Sequence, residues 1–446
     1  MIFPEYKKLD LSNIAQETLS YWDKYDVFKK SVSNAEGKTP YIFYEGPPSA
    51  NGLPGIHHVL ARTIKDIFLR YKTMKGYQVK RKAGWDTHGL PVELGVEKSL
   101  GISKEDIGNK ISVEDYNKSC KEAVMKYTDI WNDLTKKMGY WVDMEDPYIT
   151  YTSKYMETVW WLIKQIYNKD LMYKGYTVQP YSPKAGTAIS SHELNQPGTY
   201  QDVTDTSVTA QFKIINDNLP DFLDNEEDIY LLAWTTTPWT LPSNTALTVG
   251  SKIEYALIKT FNQYTYKPIQ VILATDLIHK LFSGNYFEIN HESELLKFES
   301  NSNKIPFYIS NKFLGKDLLD IKYEQLLKYA LPAENPENAF RIIHGDFVTT
   351  SDGTGIVHTA PTFGADDALV AKQAKPQVPP MLVKDKNGDL VPLVDLQGRF
   401  RPEMKELAGK YVKNEYYDSA KIPEKSVDVE IAINLKKANR AFRVEK

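Results

Sequence analysis

Two groups of residues in this sequence have types and spacings that could do chemistry. The first is the pair His57-His58, which follows a loop rich in glycine and proline from Gly46 to Gly55. Imidazoles at the start of a helix add donors to the unpaired backbone N–H groups there, and such a helix end suits a phosphate group. From spacing alone, an ordinary loop with two surface histidines has about equal weight.

The second group is rich in hydroxyl and carboxylate side chains. Thr235-Thr236-Thr237 ends an apolar stretch, and Thr240 and Asn244 follow it. Threonine hydroxyls both donate and accept hydrogen bonds, which suits a polar pocket, although threonine also simply favours strands. Farther along, His358 precedes the pair Asp366-Asp367, which in isolation is more typical of a helix N-terminus.

A strand, a loop, a helix and a second strand must position the two histidines. The strand is Tyr41–Tyr44, and the helix has apolar residues three and four positions apart between Val59 and Met74. Lys75-Gly76 predicts the helix end, and a strand resumes at Gln78. This order predicts a βαβ unit. The strand is not followed by G-x-G-x-x-G or a Walker loop, which excludes both of those nucleotide-binding motifs.

Helices dominate the first part of the chain and strands dominate the rest. Amphipathic patterns predict single helices over residues 11–31, 112–138 and 153–168, the last with Trp160 turned inward. Near residue 185 short alternating stretches take over, which predicts an all-β barrel or sandwich. The predicted strands are Ser207–Ile215, Asp228–Trp234, Ile253–Thr260, Pro268–Thr275 and Ala339–Thr349.

Composition bounds the class of protein. The 446 residues are too many for one core and suggest two to four domains, while 42% hydrophobic and 25% charged residues predict a globular chain. A net charge of -3 argues against a general nucleic-acid-binding surface, so such a partner would need a local basic patch. Cys120 is the only cysteine, which excludes a disulfide and a cysteine zinc site within the chain. With no signal pattern in the first eight residues and no long apolar stretch, we expect a cytoplasmic protein without a membrane span.

The first motif carries a resemblance to a known family. Gly46-Pro47-Pro48 through His58, with Gly84 through Pro91 downstream, resembles the first half of class I aminoacyl-tRNA synthetases, and most closely the isoleucine-specific members. Family members usually show His-x-Gly-His, whereas this chain has Gly55-Ile56-His57-His58, with the first histidine and the glycine exchanged. The resemblance implies an α/β Rossmann-like nucleotide-binding half of the HUP type, with ATP and Mg²⁺ as a substrate complex.

The resemblance also implies roles for single residues in this first domain. Gly46, Pro47 and Asp86 would embrace the amino acid, and the Asp86 carboxylate would pair with its ammonium group. The residues implied to bind the nucleotide are Pro48, Asn51, Gly52, Gly55, His57 and His58, the two histidines facing the ATP phosphates.

The second motif resembles the inserted, β-barrel-like editing domain of the isoleucine-specific enzymes, which hydrolyses mischarged tRNA. The relatives for valine and leucine have a Thr-Thr-Arg-Pro pattern where this chain has Thr235–Pro238. The resemblance implies that Asp367 holds the α-ammonium group of the misattached amino acid and that His358 contacts the terminal adenosine or the substrate. The residues implied to line the pocket and orient water are Thr235, Thr236, Thr237 and Thr240, with Asn244 nearby. No metal is implied.

The resemblance predicts three regions. Residues 1–185 would be the first half of the catalytic domain with a lead-in helix, 186–415 the inserted editing domain, and 416–446 a connector to a second catalytic half. The implied function is attachment of isoleucine to its tRNA through isoleucyl-adenylate, with editing of valyl-tRNA, by a monomer. Because no Lys-Met-Ser-Lys-Ser-type loop occurs, we expect a fragment that activates isoleucine negligibly by itself.

Two alternatives stay open at the level of sequence. One is a free-standing editing hydrolase, and the other is a non-catalytic tRNA-binding or regulatory module derived from a synthetase. Thr235-Thr236-Thr237 and Asp367 weigh against the second, since a pure binder has no need of a pocket that orients water. A nucleotidyltransferase unrelated to tRNA is a third possibility that the editing motifs disfavour.

Overall fold

A computed structural model describes residues 8–175, 177–215, 219–223 and 228–446. The chain divides into two compact units, Met1–Gly175 and Tyr176–Lys446. The segment before residue 8, in which the sequence shows no signal pattern, lies outside the described residues. Within the described residues no helix is long and apolar enough to cross a membrane.

The first unit is a small parallel sheet surrounded by helices, and its strand order is β1-β2-β3. Helix α3 connects β1 to β2, so the predicted βαβ unit is confirmed. Leu69 of α3 packs with Val79 and Tyr140 in a small core. The elements are α1 (Leu11–Lys24), α2 (Val27–Ser33), β1 (Pro40–Tyr44), α3 (Ile56–Met74), β2 (Gln78–Trp85), α4 (Leu90–Leu100), α5 (Val113–Val124), α6 (Thr128–Lys137), β3 (Asp143–Ile149) and α7 (Ser153–Tyr167).

Two helices that the sequence predicts as continuous are each broken once. Residues 11–31 form α1 and α2, because Asp26 adopts a left-handed backbone (φ 49°) that aspartate tolerates better than most residues. Residues 112–138 form α5 and α6. At that break the backbone N–H of Tyr127 donates to the carbonyl of Ala50 at 3.0 Å, a bond that replaces a helical one. A tertiary hydrogen bond of this kind leaves no trace in the local pattern.

The apolar stripe of α3 does not face the core of the described structure. Leu60, Phe68 and Met74 are 61–78% exposed, whereas the buried side chains of α3 are Arg62 and Leu69. Trp160 of α7, predicted to point inward, is also exposed. A sheet of three strands can cover only one narrow strip of a long helix. The apolar pattern therefore predicts these helices correctly but not what covers them.

The second unit is rich in strands, as the sequence predicts. Its elements are β4 (Tyr181–Ser182), β5 (Thr187–Ala188), α8 (Ser191–Leu194), β6 (Ser207–Lys213), β7 (Ile229–Thr235), β8 (Ala246–Val249), β9 (Glu254–Phe261), β10 (Pro268–Ala274), α9 (Ile278–Leu281), β11 (Tyr286–Glu288), β12 (Ile305–Leu314), β13 (Arg341–His344), β14 (Ile356–Thr359), α10 (Ala365–Gln373), β15 (Leu382–Lys384), β16 (Leu390–Pro392), α11 (Val427–Lys437) and β17 (Ala441–Glu445).

Two sheets organise this unit. A mixed seven-stranded sheet has the order β11-β12-β9-β10-β7-β6-β17, and a three-stranded sheet has the order β13-β8-β14. Together with the α/β first unit, they confirm the predicted fold class. The sequence did not predict β12, since a bulge between Ile309 and Asn311 interrupts the alternation of its side chains.

Residues 416–446, for which the sequence predicts a connector, contain α11 and β17. Val427, Ile431 and Leu435 of α11 belong to the large hydrophobic core of the second unit. Strand β17 pairs antiparallel with β6 at the edge of the seven-stranded sheet. This segment therefore packs as part of the second unit.

Candidate active sites

The threonine segment forms a compact hydrogen-bonded turn at the end of β7. Pro238 has no N–H to continue a strand, and Pro238–Ser243 forms a 3-10 turn instead. The backbone N–H of Thr237 donates to Thr235 Oγ1 at 3.1 Å, and the two hydroxyls are 3.2 Å apart. Thr240 Oγ1 donates to the Thr237 carbonyl at 2.9 Å. Three of the four predicted threonines are thus joined, while Thr236 is exposed.

The pairing of β8 with β14 brings His358 to this turn. Asn244 lies just before β8, and its Nδ2 donates to His358 Nδ1 at 2.9 Å and to the Ala246 carbonyl at 2.8 Å. On the other side of the ring, His358 Nε2 is 3.1 Å from Thr240 Oγ1. Sequence positions more than a hundred residues apart therefore meet, as the resemblance implies.

The partners of the Asn244 amide define the tautomer of His358. A carbonyl oxygen only accepts, so the amide nitrogen must face Ala246 and its second proton must point to His358 Nδ1. The ring proton is then on Nε2 and is donated to Thr240. The buried hydroxyl of Tyr323 donates to Asn244 Oδ1 at 2.7 Å and starts this chain of donors.

His358 is neutral in this arrangement. The residue is only 7% exposed, and burial lowers the pKa of its imidazole to about 4. Both ring nitrogens bind protein atoms, so neither is presented to solvent for the predicted contact with adenosine or substrate. In the described structure His358 instead holds the hydroxyl of Thr240 in place.

Asp367 presents a carboxylate at the start of α10. Its Oδ2 accepts from the backbone N–H of Ala360 at 2.8 Å. A side chain on Gly364 would place its Cβ 2.5 Å from that oxygen, so the glycine permits this close approach. Burial raises the pKa of Asp367, the Ala360 N–H opposes this, and neighbouring Asp366 raises it further. Among the described residues Asp367 has no ion-pair partner, so a cation would favour its charged form.

In the first unit the two motifs of the predicted synthetic site lie together. The backbone N–H of Asp86, at the end of β2, donates to the carbonyl of Pro48 at 3.0 Å. The Asp86 side chain is exposed, Pro47 is half-buried and Gly46 is exposed, so this edge is open to a ligand. Parallel strands β1 and β2 end here, and ligands of α/β sheets commonly bind at the carboxyl ends of strands.

The histidine pair sits at the first turn of α3. The rings of His57 and His58 have centroids 3.8 Å apart, and the Gly55 N–H donates to His58 Nδ1 at 2.9 Å. Burial, then the neighbouring His57 and Arg62, lower the pKa of His58. His57 is exposed, as is Gly52, and Asn51 is half-buried. This turn therefore offers an exposed imidazole beside a hydrogen-bonded imidazole whose pKa is lowered.

Two residues in these sites are absent from the sequence predictions. Glu45, immediately before Gly46, is buried and binds Lys65 and the hydroxyl of Tyr140. Its position directly after an apolar strand was a signal in the sequence from which a buried, paired glutamate could have been predicted. The other is Tyr323, whose partner Asn244 is 79 residues away, so no local pattern points to it.

The described residues include no group of three or more His, Cys, Asp or Glu able to hold a metal. The sequence profile of the family described as tRNA synthetases class I (I, L, M and V) matches residues 17–343. The chain therefore belongs to this family.

Individual relatives are similar over the whole chain. The isoleucine–tRNA ligase of Cytophaga hutchinsonii is 58% identical over 99% of this chain and 39% of its own length. That of Bacteroides fragilis is 55% identical over 100% of this chain and 39% of its own length. The crystal structure of GlLeuRS-CP1 is 14% identical, covers 54% of this chain and 100% of that chain, and has a TM-score of 0.34, which is too low to bear on the fold.

Proposed function

We propose that this chain supplies the editing hydrolase and the first half of the activation site of an isoleucine–tRNA ligase. The chain spans 39% of the length of the Cytophaga hutchinsonii and Bacteroides fragilis relatives, which are both isoleucine–tRNA ligases. Its proposed reactions are formation of isoleucyl-adenylate from isoleucine and ATP–Mg²⁺ by the whole enzyme, and hydrolysis of valyl-tRNA for isoleucine by the second unit. We also propose a cytoplasmic monomer.

The observation that carries the editing proposal is the Asp367 carboxylate. It is mostly buried, it accepts one backbone hydrogen bond, and within the described part of the chain it has no cationic partner. A charged carboxylate in such a place is costly until a cation arrives. The α-ammonium group of an aminoacyl ester supplies that cation, and its pairing with Asp367 would fix the ester relative to the threonine turn.

The hydrolysis requires a positioned water and no covalent intermediate. The water oxygen forms a bond to the ester carbonyl carbon and loses one of its protons, and the bond from that carbon to the ribose oxygen breaks. The proton lost by the water passes to the leaving ribose oxygen. The hydroxyls of Thr235, Thr237 and Thr240 can hold the water. Their orientation is fixed because the Thr235 and Thr237 hydroxyls bind each other and Thr240 Oγ1 donates to the Thr237 carbonyl. His358 stays neutral and serves this reaction by orienting Thr240.

A second site is needed because one methylene group discriminates weakly. It is worth only about 1–3 kcal/mol, a range drawn from isoleucine and valine themselves and not worked out from this chain. A small editing pocket that admits valine and excludes isoleucine multiplies the discrimination of the activation site.

For the activation site, the geometry supports the same roles that the resemblance implies. The Pro48–Asp86 hydrogen bond holds Gly46, Pro47 and the Asp86 carboxylate at one edge of the sheet, where the ammonium group of isoleucine would pair with Asp86. The nucleotide would approach the first turn of α3, whose N-terminal N–H groups favour phosphate. Its proposed contacts are Pro48, Asn51, Gly52, Gly55, His57 and His58.

The test is deacylation of valyl-tRNA for isoleucine, with isoleucyl-tRNA as the competing substrate. Asp367→Ala removes a charge-assisted bond worth about 1.5–3 kcal/mol, so we expect a loss of roughly ten- to hundred-fold in kcat/KM. Asp366→Ala is the matched control, because this neighbouring carboxylate is exposed. It should retain near wild-type activity.

The outcomes separate the alternatives. Selective hydrolysis of the valyl ester that depends on Asp367 but not on Asp366 supports the proposal. Binding of tRNA by a folded chain without any hydrolysis would favour a non-catalytic binding module. Equal losses in both variants would remove the role assigned to Asp367.

A further inference from the structure

Asp428, in the first turn of α11, reaches back to the threonine turn 189 residues earlier. Its Oδ1 accepts from the backbone N–H of Trp239 at 2.7 Å. Trp239 is the second residue of the 3-10 turn Pro238–Ser243, and an N–H at this position has no partner within the turn itself. A distant carboxylate therefore takes the place of the capping side chain, since Thr237, the residue before the turn, makes no side-chain cap.

The carboxylate is held in place by its own partner. Asp428 is only 1% exposed, and its Oδ2 accepts from Lys413 Nζ at 2.8 Å. Lys413 also binds Asp205. Burial raises the pKa of Asp428 and the hydrogen bond from Lys413 opposes this. An unpaired buried carboxylate is costly, so the ion pair with Lys413 stabilises the charged form of Asp428, which is the stronger hydrogen-bond acceptor.

The turn that Asp428 caps contacts both halves of the candidate pocket. Thr237 and Thr240 lie on either side of Trp239, and Thr240 binds His358. The Trp239 ring packs edge-on against Phe363, with centroids 4.9 Å apart. Phe363 directly precedes Gly364, the residue that admits the Asp367 carboxylate. A shift at the Trp239 backbone would therefore displace the threonine turn and the loop before Asp367 together.

We propose that Asp428 is a positioning residue for the editing pocket, which it acts on through the Trp239 N–H without touching substrate. The cap fixes the start of the threonine turn, so the hydroxyls of Thr237 and Thr240 keep one orientation. The last part of the chain thereby contributes to a pocket whose other residues end at Asp367. This inference rests on the proposed deacylase for its kinetic readout only.

Hydrogen exchange tests the cap without reference to any activity. In the full chain, Asp428→Ala should speed exchange of the Trp239 amide by about ten- to hundred-fold, the factor that corresponds to an unsatisfied buried donor. Asp428→Asn keeps an oxygen that can accept from Trp239 and should largely restore protection. Asp418→Ala is the matched control, because Asp418 forms an exposed ion pair with Lys421. Its exchange at Trp239 should match the wild type.

Deacylation of valyl-tRNA by the same variants tests the positioning role. We expect Asp428→Ala to lower kcat about ten-fold or more with little change in KM, and Asp428→Asn to recover most of it. Thermal unfolding measured in parallel identifies a general loss of fold. Unchanged exchange at Trp239 in Asp428→Ala, or equal kcat in the Ala and Asn variants, would overturn the inference. If wild-type chain shows no deacylation while exchange responds as expected, the proposed function fails and the cap stands.

Discussion

Removal of one buried hydroxyl tests whether the series of hydrogen bonds from Tyr323 to Thr240 organises the pocket. In Tyr323→Phe, Asn244 Oδ1 loses its 2.7 Å donor and stays buried. An unsatisfied buried acceptor costs about 1–3 kcal/mol, so we expect the free energy of unfolding to fall by this amount. Because the Asn244 amide is then held on its nitrogen side alone, its hold on His358 Nδ1 should weaken and deacylation should fall several-fold.

The matched control is Tyr255→Phe. Tyr255 is also buried in the second unit, and its hydroxyl donates to the Gly355 carbonyl at 2.6 Å and accepts from the Gly250 N–H at 3.1 Å. Its loss leaves buried backbone groups unsatisfied and should cost at least as much stability. It contacts neither Asn244 nor His358 in any hydrogen bond that the structure describes, so deacylation at full folding should be unchanged.

Three measurements compare the variants: chemical denaturation, deacylation of valyl-tRNA, and ¹⁵N NMR of the histidine rings. In the wild type we expect His358 to have its proton on Nε2 and to remain neutral well below pH 6. In Tyr323→Phe its two nitrogen signals should shift toward each other as the tautomers mix. The reasoning is refuted if the wild-type proton is on Nδ1, or if both variants lower deacylation to the same extent at equal stability.

Two further predictions concern Gly364 and His358. Gly364→Ala should mimic loss of Asp367 in the deacylation assay, since the new Cβ would lie 2.5 Å from Asp367 Oδ2 and push the carboxylate away. Gly388→Ala controls for general backbone strain, because φ there is 85° and no atom lies within 4 Å of the new Cβ. Equal activity in the two variants would argue against the steric account. His358 has a folded pKa of about 4 against an ordinary value of 6.5. Between pH 6.5 and 4 this histidine therefore binds a proton in the unfolded chain but not in the folded chain. The free energy of unfolding should fall by roughly 3 kcal/mol over this range and then level off. His358→Gln should flatten this difference in denaturation curves, and an unaltered pH dependence would contradict the buried neutral state.

Local pattern predicted about half of the helices and strands that the structure describes. The βαβ order followed from apolar spacing and glycine stops, and strands β6, β7, β9, β10 and β13 of the second unit followed from alternation. The meeting of Thr240, Asn244 and His358 was available only through the resemblance, because the pairing of β8 with β14 decides it. What remained hidden depends on partners distant in sequence, as for Tyr323 and Asp428.

The breaks at Asp26 and Tyr127 and the bulge in β12 were missed for a related reason. Each is a departure from periodicity that tertiary hydrogen bonds or local backbone freedom permit. The apolar pattern continues through each of these positions and therefore does not predict them. The apolar stripe of α3 differs from these cases. The pattern correctly predicts the helix, but the described residues do not bury the stripe that it marks as apolar.

The antiparallel pairing of β6 with β17 has a consequence for how such a unit can be accommodated in a longer chain. Ser207 and Glu445 are direct partners across the two strands, so the backbone enters and leaves this sheet at neighbouring points. An insertion whose two ends are adjacent spans almost no gap, and the loop-closure entropy that the host must lose is correspondingly small. Neighbouring ends of this kind let a module be inserted into another fold without separating the segments of that fold that flank it.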